Sequence, residues 1–163
     1  YNKGLIDERP LPLKGPRARV VNVTSKTYGT RMYNKERRLV VYNMIFANTP
    51  LPVEVIEPAC TVEDNQKSLM ITVFESDFTD PVADHQVEER FCVKLEERIL
   101  QLNKNWPKGT PCDVKFSLNE EGILAVHCEV DKDKIDFELT ITGVKTQEEM
   151  EKSTIAIGKT VVS

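Results

Sequence analysis

Apolar and polar residues alternate with period two through much of the middle of this chain. In Phe137-Glu-Leu-Thr-Ile141 the two kinds separate cleanly, as in a strand with one buried and one wet face. Leu69-Met-Ile-Thr-Val-Phe74 alternates in the same way and sends Leu69, Ile71 and Val73 to one side. Comparable stretches lie at 19–26, 38–46, 52–57, 69–75, 91–95, 113–118, 123–130 and 135–142. They are rich in Val, Ile, Phe, Thr and Tyr, which suit a pleated, half-buried surface.

Between these stretches stand turn signals with identifiable causes. Ala47-Asn-Thr-Pro50 and Leu51-Pro52 end the preceding strand, because proline cannot donate to a central ladder. Glu120-Glu-Gly-Ile123 offers glycine where φ is expected to be positive. Asp131-Lys-Asp-Lys134 reads as a charged hairpin loop. Short strands joined by turns, without helical units between them, predict an all-β fold: an antiparallel sandwich of two sheets with about eight strands.

One internal helix candidate covers 93–102, where Leu95, Ile99 and Leu102 would share a face with Arg98. A strand entering a short helix is the alternative there. A second helix is expected to start at Thr146, since Thr146 and Glu149 have capping-box spacing. The organisation is then an extended tail at 1–16, rich in proline, a sandwich at 17–145, and a helical start and tail at 146–163. The chain opens Tyr-Asn-Lys, without methionine, and reads as a piece of a longer protein.

Composition narrows the function. The net charge of -4 argues against a general nucleic-acid or anionic-membrane surface. No apolar run of about 18 residues spans a bilayer. Cys60, Cys92, Cys112 and Cys128 are widely spaced and accompanied only by His85 and His127. That spacing favours buried free thiols in a reducing cytoplasm over a zinc site, which usually has close ligand pairs, and two disulfides are the alternative.

Catalytic candidates are few. Asp77, Asp80, Asp84, Glu88 and Glu89 gather in one stretch, and solvated loop carboxylates are the plainer reading. His127 alternates with Val126 and Cys128 in a strand, as a surface or packed histidine does. Asp64-Asn-Gln66 lacks the rest of a calcium-loop pattern. No glycine-rich phosphate cradle is present. The segment is therefore expected to be non-catalytic and to need no cofactor or metal.

Four features in order carry a resemblance: Val23-Thr24 with Gly29, the Asn48-Thr-x-x-Pro52 turn, Glu63-Asp-Asn-Gln66 with its following strand, and Gly122-Ile-Leu124. Together they make roughly 20–142 similar to the peptide-binding β-domain of DnaK-type seventy-kilodalton heat-shock chaperones. The resemblance implies a β-sandwich whose loops enclose an extended, apolar-centred segment of an unfolded polypeptide. ATP would be used in a separate domain of the parent. Carried over position by position, Tyr33 and Val62 would close an arch over the peptide, with Met32 beside it. Thr30, Ala59, Leu69, Ile71 and Cys112 would line the central pocket.

The departures also matter. Family members usually carry larger apolar groups where Thr30 and Ala59 stand. Asn34-Lys-Glu-Arg-Arg38 replaces a short glycine turn, 91–109 is longer than usual, and Ala18-Arg-Val-Val-Asn22 replaces a leucine-rich acidic linker. An open groove could accept Leu11 or Leu13 from a neighbouring molecule's tail, while the plainer expectation is a disordered tail or one packed elsewhere on its own domain. The alternative is an unrelated sandwich serving as a scaffold or adhesion module.

Overall fold

The computed structural model of the protein describes residues 21–80, 85–146 and 148–149. Its strands are β1 (Asn22–Thr24), β2 (Thr27–Tyr33), β3 (Leu39–Ile45), β4 (Val53–Glu57), β5 (Gln66–Ser76) and β6 (Gln86–Val87), then β7 (Val93–Trp106), β8 (Val114–Leu118), β9 (Ile123–Val130), β10 (Asp133–Thr140) and β11 (Val144–Thr146). One sheet has the order β6-β3-β2-β5-β7 and the other β10-β9-β8-β4. A third pairing, β1 with β11, forms a two-stranded ribbon. Every ladder is antiparallel. The fold is the expected all-β sandwich.

The core lies between the two large sheets because period-two alternation sends one face of each strand inward. Tyr28, Ile45, Val73, Phe116, Leu118, Leu124 and Val126 are fully buried there. Each such side chain stabilises the fold by roughly 1.5–3 kcal/mol relative to exposure. On β5, Leu69 and Ile71 are buried while Met70 between them is half exposed, as the alternation predicts.

Gly29 permits a close backbone approach in the larger sheet. The register of β2 against β3 shifts between Tyr28 and Gly29. A Cβ at Gly29 would stand 2.5 Å from the Tyr42 carbonyl oxygen. Gly122 has φ 87° and closes the turn before β9, as expected.

Several expectations change. The helix candidate at 93–102 is part of β7, a long edge strand. Leu95 is an extra residue in its ladder, since Glu96 pairs with Val73 and Lys94 with Phe74. That bulge breaks period two and places apolar residues at helix-like spacing. Leu95 and Leu102 pack on the core, whereas Ile99 is 53% exposed on the opposite face. The expected strand at 19–26 gives only β1 among the described residues, and β2 follows it at 27–33 as a strand absent from the candidate stretches. The charged hairpin loop is tighter than expected, because β10 begins at Asp133 and Asp131 turns the chain with φ 53°.

The capping box at Thr146 is formed. The Thr146 amide donates to Glu149 Oε1 at 2.8 Å, and the Glu149 amide donates to Thr146 Oγ1 at 3.1 Å. All four cysteines are free. Cys112 and Cys128 are buried as expected, but Cys60 is exposed and Cys92 is only partly covered. The tail, with Leu11 and Leu13, lies outside the described residues, as does Asp84.

Candidate functional site

The larger sheet opens where β2 leaves β5. Their ladder runs from Thr27↔Ser76 to Thr30↔Val73 and stops, while β2 stays paired with β3 as far as Tyr33↔Leu39. The β2–β3 hairpin therefore peels away beyond Thr30. Its turn is held by Asn34, whose Oδ1 accepts the Glu36 and Arg38 amides at 3.0 and 2.9 Å. Arg37 takes a positive φ of 62° to complete the turn.

The facing wall is the connection between β4 and β5. Ala59 O accepts the Cys112 amide at 3.0 Å, and Thr61 N donates to Thr110 O at 2.9 Å. Thr61 is buried, and its Oγ1 donates to Pro107 O at 2.7 Å and accepts the Thr110 amide at 2.9 Å. Gln66 folds the next turn: its Oε1 accepts the amides of Val62 and Glu63 at 2.9 and 3.3 Å. Asn65, with φ 61°, lets that turn close. Loop backbone is thus satisfied internally, which fixes the position of Val62.

Between these walls lies a cavity of about 620 Å³, a size that accommodates small ligands or side chains. Thr30, Met32, Tyr33, Ala59, Val62, Leu69, Ile71 and Cys112 all line it. The structure brings together every residue the resemblance singled out. Thr30, Leu69, Ile71 and Cys112 are buried, and Tyr33 stands 52% exposed at the mouth. Leu39, Tyr42, Glu57, Met70, Val114 and Cys128 line the same space and were not among the expected residues.

The chemistry of the lining is quiet. Burial pushes the Cys112 thiol up to about 11 and the Cys128 thiol up to about 12. Both are protonated at neutral pH and poor nucleophiles. Arg31 also borders the cavity but is engaged elsewhere. Its Nε and Nη2 reach the two Glu89 carboxylate oxygens at 2.8 and 2.9 Å, and its Nη1 lies 3.4 Å from Glu97. The Glu89 hydrogen bond is the largest of the effects that raise its pKa.

The other candidates stand apart from this cavity. Asp77 pairs with Lys26 and Glu88 with Arg90, so these carboxylates do not converge on one centre. Asp64 Oδ1 accepts the Lys108 amide at 3.2 Å. On the outer face of the smaller sheet, Ser117, His127 and Asp136 border a shallow cleft of about 400 Å³. His127 Nε2 faces Glu129 Oε1 at 2.8 Å, Nδ1 faces Asp136 Oδ1 at 2.5 Å, and Ser117 donates to Glu54 at 3.0 Å. That is not a nucleophile-base pair. Among the described residues, no group of three or more His, Cys, Asp or Glu side chains is placed to hold a metal ion, and no helix is long and apolar enough to cross a membrane. No family model matches the sequence, and no curated protein matches it.

Proposed function

We propose that this chain binds extended, apolar-centred polypeptide segments in the cavity between the β2–β3 hairpin and the β4–β5 connection. It would act as the substrate-binding part of a DnaK-like chaperone whose ATP is used in another domain. The supporting observation is the convergence of Thr30, Met32, Tyr33, Ala59, Val62, Leu69, Ile71 and Cys112 on one space. A buried apolar floor with an exposed aromatic at its mouth suits an extended strand that uses backbone hydrogen bonds for affinity and a side-chain pocket for selection. Four free thiols suit a reducing cytoplasm.

Leu69→Asp is the direct test. A carboxylate at this buried position would lose water when an apolar peptide arrived. Fluorescence anisotropy with a labelled leucine-rich peptide should show affinity falling by at least about tenfold. Unchanged affinity in a folded variant would remove the assignment. A scaffold module is the second reading. In its favour, Met70 and Ile99 pair across β5 and β7 and are each about half exposed. Loss of partner binding in Ile99→Lys, with Leu69→Asp silent, would favour it.

A further inference from the structure

The cavity wall contains a charge that the apolar pattern does not explain. Val53 and Val55 of β4 pack against the inter-sheet core, and Glu57 follows them at the same period-two spacing. Glu57 therefore points between the sheets, opposite buried Val114, and borders the cavity half-buried. It forms no ion pair with any described residue. Of the basic residues on the lining, Arg31 is held by Glu89 and Glu97, and Lys35 sits exposed in the hairpin turn. Tyr42 stands beside Glu57: burial first, and then this carboxylate, raise the pKa of its hydroxyl. Thr30 is 2% exposed, lines the same space, and its hydroxyl makes no hydrogen bond among the described residues.

We propose that the groove selects a long side chain with an apolar stem and a cationic tip, a lysine or arginine of the bound segment, and that Glu57 selects it. The inference rests on the peptide-binding reading and deepens it. A half-buried carboxylate attracts a cation more strongly than the same group in water, because the surroundings screen less. The stem of a lysine can lie along Leu69 and Ile71 while its ammonium reaches the polar wall. An ammonium has three donors. Glu57 takes one, and the Thr30 and Tyr42 hydroxyl oxygens on the same wall can accept the others. A purely apolar side chain would still bury against Leu69 and Ile71, but it would cover Glu57 without pairing it and so bind more weakly.

The test uses two labelled peptides identical except for a central lysine or norleucine, which share the stem and differ in the charge. Anisotropy titrations should show the lysine peptide binding at least about tenfold tighter to the unaltered chain. In Glu57→Gln the ratio should fall close to one, mainly because the lysine peptide weakens. Equal or tighter binding of the norleucine peptide, or a ratio that survives Glu57→Gln, overturns the role of Glu57 and leaves the groove intact. Failure of both peptides to bind the unaltered chain overturns the groove as well.

Discussion

The two ends of the inter-sheet space are built from the same strands and differ in what fills them. At one end Tyr28, Ile45, Leu51, Phe116, Leu118 and Leu124 pack with almost no exposure. At the other, the same ladders present Thr30, Glu57 and Cys128, the adjoining connections add Ala59 and Cys112, and a cavity of about 620 Å³ remains. Large apolar groups meet across the first gap, whereas small or polar ones leave the second unfilled. A sandwich can therefore divide stability from recognition along the length of its strands without a change of fold. Interiors are otherwise close-packed, and the unfilled end is where the proposed peptide site lies.

The filled end should be the more sensitive to loss of volume. Phe116 is 0% exposed, and Phe116→Ala should cost about 3–5 kcal/mol by guanidinium denaturation. A loss below about 1 kcal/mol would mean that the two ends are equally loose. Adding volume to the open end should have the reverse profile. Ala59→Leu should leave stability within about 1 kcal/mol, because the added methyl groups enter open space. Peptide affinity should fall by about tenfold as the pocket narrows. A large stability loss with unchanged affinity would show Ala59 to be ordinary core.

The smallest expected effect lies on the outer face, away from both ends. Hydrogen bonds from His127 first to Glu129 and then to Asp136 raise the pKa of its ring above the ordinary 6.5. Lys115, its other cross-strand neighbour, lies on the same face. Only the imidazolium can donate from both ring nitrogens. Its contribution is complete below the unfolded value of about 6.5 and fades as pH rises through the higher folded value. Stability should fall by no more than about 1 kcal/mol over that rise, since the carboxylates are well exposed. His127→Gln should flatten the profile and leave peptide affinity alone. A profile that His127→Gln does not flatten would assign the pH dependence to other groups.

The parts of this molecule legible in its sequence are those where period two is unbroken. β9 spans Ile123–Val130, as the pattern suggests, and β10 follows the alternation closely. β2 was hidden because Gly29 is a poor strand former and Thr30 stands where the alternation of Tyr28 and Met32 calls for an apolar residue. β7 imitated a helix because one bulge residue changed the spacing. At the site, alternation identified Leu69 and Ile71 only as an inward face; the resemblance grouped them with Tyr33 and Val62. Glu57 was detectable, since Val53 and Val55 predict an apolar residue at its place. The roles of Thr61 and Gln66 were not detectable, although Gln66 ends one of the motifs that carry the resemblance. Their hydroxyl and amide hold loop backbone, and the Thr61 bonds reach residues more than 40 positions away in the chain.

The ribbon of β1 and β11 has a mechanical consequence. Asn22 faces Thr146 at one end of this ladder, and Thr24 faces Val144 at the other. The strands run antiparallel, so a pull applied to the chain on both sides of the domain meets the Asn22–Thr146 rung first. The load opens the ribbon rung by rung, as a zip, instead of shearing all its rungs together. Beyond it, Ser25 N bonds Gly143 O at 2.7 Å and Thr24 N bonds Thr49 O at 3.1 Å, both beside the filled end. A tug transmitted through the flanking chain is thus absorbed at the opposite pole from Tyr33 and Val62, and the mouth of the cavity is shielded from it.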